Sequence, residues 1–339
     1  MGVYMTCDIS FAKQVYHSLP ESLRSPYHNP DYVALDAKQK YTKENQRISA
    51  VFFIYQKGGE TYYQPLHRVF TPAFKVTDFE SARGYGGPIS TSNDREFLEE
   101  ALAEYKKFSV EHDALAEFVR FTPALANQEI YYGNAWFDRT TCAIDLTDYS
   151  VEKNSHGAIS NINKAIKNNC HIVFVDEPSH EQAAAFDRIY RARMQALGAG
   201  EHYLYSKDYV GQLVTKGNQL ALVERNGEIL AASIFLRSGN WHEYHLSAAT
   251  PEGQQLGVIN LILHNYAMRY AMKEPAGSAI LHLGGGTDTK PDNNLLKFKR
   301  SIGKLEQPFF VGKYIHQPGR YEKLKLECAG ENNRVLFYR

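Results

Sequence analysis

The chain has 339 residues but no long apolar run, no net charge and few cysteines. No stretch approaches the ~20 consecutive apolar residues that cross a bilayer, so no transmembrane segment is expected. The opening residues, Met1 to Asp8, hold neither a basic region nor a continuous apolar one, and no leader is expected. Lys and Arg number 38 and Asp and Glu number 38, which removes any global attraction to nucleic acid or an anionic membrane and leaves only local patches. The four cysteines, Cys7, Cys142, Cys170 and Cys328, show no C-x-x-C spacing. A structural zinc needs closely spaced ligand pairs, so no metal is expected, and scattered thiols fit a reducing, cytoplasmic location.

What the chain does contain is an ordinary globular balance, 43% hydrophobic and 22% charged, enough to build a core without disulfides or metal. Its length suits two domains, expected over residues 1–150 and 151–339. Tyrosine is frequent, with 23 copies. Its apolar face and polar tip suit half-wet grooves, and it is equally at home as an ordinary strand residue.

In the first half, Val51–Tyr55 and a run through Val69 flank the turn Lys57-Gly58-Gly59-Glu60 and read as a hairpin. Arg83-Gly84-Tyr85-Gly86-Gly87-Pro88 must be a loop. Asn93 with Glu96 then reads as a capping box, starting a helix with Leu98, Ala101, Leu102 and Tyr105 on one face.

In the second half, Ile159, Ile162 and Ile166 mark an amphipathic helix whose other face carries Lys164 and Lys167, and His171–Val175 is a strand. Ser179 and Gln182 cap a helix buried through Phe186, Ile189, Tyr190 and Met194. Leu220–Glu224 and Ile229–Leu236 form a hairpin about Arg225-Asn226-Gly227, with Trp241–Ala248 as a third strand. A helix over 256–273 and a strand at Ala279–Leu283 follow. Helix, hairpin, third strand, helix, strand is the core order of an N-acetyltransferase-type (GNAT) fold, and the hairpin, loop and helix of the first half make a duplicated fold reasonable.

Several residues carry candidate chemistry. Gly284-Gly285-Gly286 ends a strand where backbone can approach a ligand closely, or is a simple tight turn. It is neither a Walker A loop nor a dinucleotide fingerprint. Lys297-Phe298-Lys299-Arg300 places three cations in four residues just beyond it, an anion-binding ledge or a solvated helix face. In Trp241-His242-Glu243-Tyr244-His245-Leu246-Ser247, strand alternation puts Glu243, His245 and Ser247 on one face. The spacing is not H-E-x-x-H; Glu243 and His245 could act as a general base pair towards an ammonium nucleophile, or His245 could be a structural histidine. Before the 256–273 helix, Gln254 and Gly257 match two positions of the Arg/Gln-x-x-Gly-x-Gly/Ala pyrophosphate cradle of acetyl-coenzyme A enzymes, while Ile259 stands where a small residue is wanted.

Tyr85-Gly86-Gly87-Pro88, Arg120-Phe121-Thr122-Pro123 with Asn127, His245-Leu246-Ser247-Ala248, Leu283-Gly284-Gly285-Gly286 and Phe298-Lys299-Arg300-Ser301, in that order over residues 25 to 315, resemble the Fem-like peptidyltransferases and their shorter GNAT-fold relatives. The resemblance implies an α/β (α+β) chain of two tandem GNAT-like domains, each a mixed, mainly antiparallel sheet flanked by helices, with a substrate cleft between or beside them. Classical members move an amino acid from aminoacyl-tRNA onto the stem-peptide amine of a peptidoglycan precursor; shorter relatives look like acyltransferases for surface-polysaccharide amines. By similarity Lys299 would stabilise charge on the reacting carbonyl, Lys164 and Lys167 would hold acceptor phosphates, and Tyr85, Gly86, Arg120, Asn127, Ser247, Gly284, Gly285, Gly286, Phe298 and Arg300 would bind substrate.

The helical-hairpin arm of long Fem proteins has no counterpart between residues 150 and 310. The implied donor is aminoacyl-tRNA or an acyl thioester on coenzyme A or a carrier protein. The implied acceptor is a nucleotide- or lipid-linked amine, met with or without peripheral membrane contact. Two alternatives are an acetyl-coenzyme A N-acetyltransferase and a catalytically silent GNAT-fold binding protein.

Overall fold

The computed structural model describes residues 2–39, 46–206, 208–271, 278–290, 292–328 and 334–338. In chain order the elements are β1 (Gly2–Thr6), α1 (Ile9–Ser18), α2 (Pro30–Gln39), β2 (Arg47–Lys57), β3 (Glu60–Thr71), β4 (Val76–Glu80), β5 (Ile89–Ser90), α3 (Arg95–Glu111), β6 (Ala114–Arg120), β7 (Asn134–Asp145), α4 (His156–Lys167) and β8 (His171–Val175). There follow α5 (His180–Ala196), α6 (Tyr209–Val214), β9 (Gln219–Arg225), β10 (Glu228–Ser238), β11 (Trp241–Ala249), α7 (Pro251–Leu256), α8 (Val258–Arg269), β12 (Ile280–Gly284), α9 (Asn294–Arg300), β13 (Leu305–Ile315) and α10 (Pro318–Glu327).

The chain forms two compact units, Met1–Asp138 with Phe309–Arg339, and Arg139–Pro308. The division therefore does not fall at residue 150, and the end of the chain does not group with the second half. The cause is hydrogen bonding: β13 runs antiparallel to β6, with Val311 opposite Arg120 and Ile315 opposite Ala116.

In the first unit the strands run in the order β1, β2, β3, β4, β6, β13, with β5 on β3. The β2–β3 hairpin turns on Gly58 and Gly59, both at positive φ, where a side chain would be strained. β4 and β6 are parallel, as their crossover through α3 requires. Asp94, not Asn93, caps α3, accepting from the Phe97 amide, and the buried face is Phe97, Ala101, Tyr105 and Ser109. This face packs over Val51, Phe53 and Phe79.

The second unit orders its strands β7, β12, β11, β10, β9, β8. The β9–β10 hairpin turns on Asn226 and Gly227 at positive φ, and Ser179 and Gln182 make the reciprocal capping bonds at the start of α5. β11 and β12 are parallel. α4 and α8 pack together on a core that includes Ile162, Ala165, Ala221, Val223, Phe235 and Tyr266. The buried stripe of α4 is Ala158, Ile162 and Ala165, while Ile166 is exposed. The expected helix over 256–273 is broken: Thr250 caps α7, Gly257 at φ 71 ends it, and α8 restarts at Val258. Residues 272 and 273 lie outside the described residues. Each unit is thus α+β, a mixed, mainly antiparallel sheet with helices packed on it, and no described helix is long and apolar enough to cross a membrane.

Candidate functional site

The candidate residues fall into two groups, one in each unit. In the first unit, Gly86, Asn127 and Arg120 surround the loop after β4. Gly86 donates its amide to the Arg120 carbonyl at 2.7 Å. Asn127 is buried, and its Nδ2 donates to the carbonyls of Gly86 (2.8 Å) and Pro88 (3.0 Å) while its Oδ1 accepts from the Thr122 amide. That accounts for both ends of the amide, so Asn127 staples the loop and has no donor left to offer a substrate. A Cβ on Gly86 would lie 2.8 Å from the Ser81 Cβ, so this glycine is required by the loop's own packing. The Arg120 guanidinium lies over the Phe118 ring, and the Tyr85 ring sits edge-on to Tyr27 and Phe309. His28 donates from Nε2 to the Gly87 carbonyl, and burial pushes its pKa down to about 4.

Deeper in this unit lies a cluster that residue spacing did not reveal. The buried Glu117 carboxylate of β6 accepts from the hydroxyls of Tyr105 (2.6 Å), Tyr131 (2.7 Å) and Tyr132 (2.5 Å) and pairs with His316 Nε2 at 3.1 Å. Burial alone would raise this carboxyl; the hydrogen bonds and charge of His316, with those of the tyrosines, outweigh it and hold the group below the usual carboxylate range. Other tyrosines behave alike: Tyr16 donates to the Ser25 carbonyl and Tyr63 to the His28 carbonyl. These rings are core residues whose hydroxyls tie loops and helices to the sheet, not the lining of wet grooves.

In the second unit, the decisive local feature is a bulge in β11. Opposite Ile234 stands Leu246 and opposite Phe235 stands Tyr244, so His245 is the extra residue. The bulge breaks the alternation, and Glu243, His245 and Ser247 do not form one row. Glu243 faces His282 directly across the parallel β11–β12 pair, Oε2 to Nδ1 2.8 Å, with both side chains buried. His245 Nε2 is instead hydrogen-bonded to the Tyr209 hydroxyl of α6 at 3.0 Å. Ser247 shares a 2.7 Å hydrogen bond with Ser233. The expected Glu243–His245 base pair is therefore replaced by two separate pairs. β11–β12 pairing ends at Glu243, and β11 runs on to Ala249 without pairing to β12.

The three cations of α9 do not make a ledge, because successive helix residues project about 100° apart. Lys297 is exposed, and Arg300 turns to Glu306 at 2.7 Å. Lys299 is buried and donates from Nζ to the Gly285 carbonyl at 2.7 Å. Burial lowers its pKa to about 8 against the opposing pull of Cys142 and Glu243. Arg139 donates to the Gly286 carbonyl at 3.1 Å. The glycine turn, with Gly284 at φ 79, thus presents two carbonyls to two cations.

Beside the open end of β11 lies a cavity of about 430 Å3, walled by Met194, Tyr244, Ile259, Leu295 and Phe298 and bordered by Ser247, Gln254 and Gly257. Two asparagines also line it. Asn161 donates to Asn260 Oδ1 at 3.0 Å, while the buried Asn260 Nδ2 has no hydrogen-bond partner among the described residues. The amides of Gly253, Gln254 and Gly257 are consumed by Thr250 Oγ1, the Thr250 carbonyl and the Gln254 carbonyl. Lys164 and Lys167 lie elsewhere in the unit, on the exposed face of α4, with His156 and Asn163 about a shallow depression, and Lys164 Nζ donates to the Gln255 carbonyl. His282, Tyr209, Arg139 and Asn260 were not singled out in the sequence; the one visible signal was a polar His282 inside the apolar run Ile280–Leu283.

No protein-family model matches the chain, and no curated protein matches it in sequence. Solved structures match it in shape. FemX aligns with a TM-score of 0.68 at 13% identity, over 96% of this chain and 100% of that one. A conserved protein of unknown function from Bacteroides thetaiotaomicron aligns at 0.60 and 9% identity, over 92% and 99%. The C-terminal domain of a protein described as a lysylphosphatidylglycerol synthetase of Agrobacterium fabrum aligns at 0.55 and 10% identity, over 97% and 99%. The chain therefore has the fold of FemX, the Fem-like fold that the order of its motifs implies. At these identities the likeness concerns the fold.

Proposed function

We propose that the protein is an acyl- or aminoacyltransferase that forms an amide on an amine of a cell-envelope precursor, a peptidoglycan stem peptide or an amino sugar of a surface polysaccharide. The observation that carries this reading is Lys299, a buried ammonium held at the Gly285 carbonyl within electrostatic reach of buried Glu243. A cation in a dry site is costly to bury and is worth most where negative charge develops, as on the oxyanion of acyl transfer.

In this mechanism His245, oriented by Tyr209, takes a proton from the acceptor's ammonium. The freed amine attacks the donor's activated carbonyl, and Lys299 offsets the oxyanion of the tetrahedral intermediate. That intermediate collapses to the amide, and the leaving oxygen or sulfur departs and takes up a proton. The apolar cavity receives the donor's acyl arm, with the Asn260 amide available to a carbonyl. The donor is aminoacyl-tRNA or an acyl thioester, and the acceptor is nucleotide- or lipid-linked and met on the cytoplasmic side of the envelope. The acetyl-coenzyme A alternative has less support, because Ile259 stands where its pyrophosphate cradle wants a small residue and the Gly257 amide is already bonded to the Gln254 carbonyl.

FemX and the lysylphosphatidylglycerol synthetase domain share the fold, which adds weight to a transferase. The test is mass spectrometry of ligands that copurify with the protein, followed by turnover on the donor and acceptor so identified. Lys299→Ala should reduce turnover by about a hundredfold or more, the scale of losing one oxyanion contact. Full turnover by that variant would refute the assignment.

A further inference from the structure

The cavity beside β11 is apolar along most of its wall, yet two polar side chains on it have bonding capacity left over. Asn260 is 3% exposed, and its Nδ2 has no hydrogen-bond partner among the described residues. Arg193 stands half-buried on the inward stripe of α5, one turn beyond Ile189 and Tyr190, where the helical period calls for an apolar residue. Its guanidinium makes no hydrogen bond or ion pair with a described residue. The neighbouring arginines differ: Arg188 faces solvent, and Arg191 is held by Asp187 and the Tyr205 carbonyl. A cation is favoured in the last turn of any helix, but an outward position would serve that purpose equally.

The wall thus offers donors and no charged acceptor. No aspartate or glutamate is among the described residues that line it, and Asn161 spends its side-chain amide on Asn260. An aminoacyl donor brings an α-amino group, which ordinarily titrates near pH 8 and is charged at neutrality. Here that ammonium would meet a guanidinium of like sign and no carboxylate, an arrangement that costs most where water is excluded. An acyl group without the ammonium escapes this cost.

We propose that Arg193 and Asn260 select the donor: the cavity takes an acyl thioester on a phosphopantetheine arm, and it turns away aminoacyl groups. Asn260 Nδ2 donates to an amide carbonyl of the arm, and Arg193 holds its single phosphate. The arm is uncharged up to that phosphate, which suits a cavity of about 430 Å3 walled by Met194, Tyr244, Ile259 and Phe298. One guanidinium binds one phosphate, in a bidentate fork. The second phosphate of coenzyme A finds no such partner, since the Gly257 amide is already bonded to the Gln254 carbonyl. The arm is therefore one that ends in a single phosphate, as on a carrier protein.

The inference rests on the transferase reading given above, but its test is binding and needs no turnover, so the two can fail separately. The intact protein is titrated by calorimetry with 4′-phosphopantetheine, pantetheine, coenzyme A and puromycin, the last an aminoacyl nucleoside that carries the α-ammonium. Phosphopantetheine should bind about tenfold or more tighter than pantetheine, the scale of one charge-assisted hydrogen bond. Coenzyme A should bind no tighter than phosphopantetheine, and puromycin should not displace it. Arg193→Met should remove the advantage of the phosphate and leave pantetheine affinity as it is. Asn260→Leu should weaken both probes by a similar factor. The comparisons on the native protein carry the test if either variant does not fold. Absent binding of phosphopantetheine, equal affinity for it and pantetheine, much tighter binding of coenzyme A, or displacement by puromycin would each overturn the proposal.

Discussion

Asn161 on α4 gives its side-chain amide to Asn260 on α8, and the Asn260 amide is left buried without a partner among the described residues at the wall of the cavity beside β11. A buried donor left unpaired costs roughly 1–3 kcal/mol, which a bound carbonyl would recover. Asn260→Leu should remove the unpaired donor but also the acceptor of the Asn161 hydrogen bond, about 1 kcal/mol net, and so leave the ligand-free protein within about 1–2 kcal/mol of native stability. It should also remove the stabilisation that the copurifying ligand confers. Thermal unfolding with and without that ligand checks both halves; an equal ligand-induced shift in the two proteins would show that the amide faces no ligand.

Lys299 makes a second prediction through stability alone. Its pKa falls from 10.5 to about 8 on folding, so between those values the unfolded chain binds more protons and native stability rises with pH. Below pH about 8 the fold carries a cost of up to about 3 kcal/mol, from the conversion of pKa units to free energy. Lys299→Met should be more resistant to urea than the native protein at pH 7 by up to that amount. The advantage should vanish above pH about 10.5, where the native side chain is neutral in both states.

The Glu117 cluster has the opposite sign. Its carboxyl is depressed by His316 and the tyrosines, so its contribution is present above the unfolded value of 4.5 and is lost as pH falls through the folded one. Glu117→Gln should destabilise the protein by about 3–5 kcal/mol at pH 7, the usual consequence of breaking a buried pair, with the difference shrinking in acid. Urea unfolding at pH 7 and pH 3.5 measures it.

Asn127 separates a structural role from a binding one. Asn127→Ala loses three buried hydrogen bonds, each worth about 1 kcal/mol net, and should lower the urea midpoint. Once the substrate is known, KM for the folded fraction should be unchanged; a raised KM at native stability would return Asn127 to the substrate.

Much of the fold was legible because it obeys short-range rules. Gly58-Gly59 and Asn226-Gly227 are turns that only residues tolerant of positive φ can make, and both hairpins stand where they were expected. Ser179 and Gln182 cap α5 reciprocally, a bond between residues three apart. The first-unit motif residues were legible only as positions: Gly86 and Asn127 do meet, but in a loop staple. The α4 stripe was read one residue askew at two of its three positions, since the isoleucines suggested 159, 162 and 166 where the buried residues are Ala158, Ile162 and Ala165.

The sequence by itself therefore determined the two hairpin turns, the reciprocal cap of α5 and most of the strands and helices between α4 and β12, all of which depend on neighbours a few residues apart. The site was settled only in three dimensions. One extra residue in β11 moved His245 out of the row of Glu243, and the parallel register brought in His282, 39 positions away. Sheet order placed His316 on Glu117 across 199 positions, and the pitch of a seven-residue helix sent Lys299, rather than Lys297 or Arg300, to the glycine turn. Hydrogen bonds of this kind depend on which strands lie side by side, and that is a property of the packed chain rather than of any local pattern.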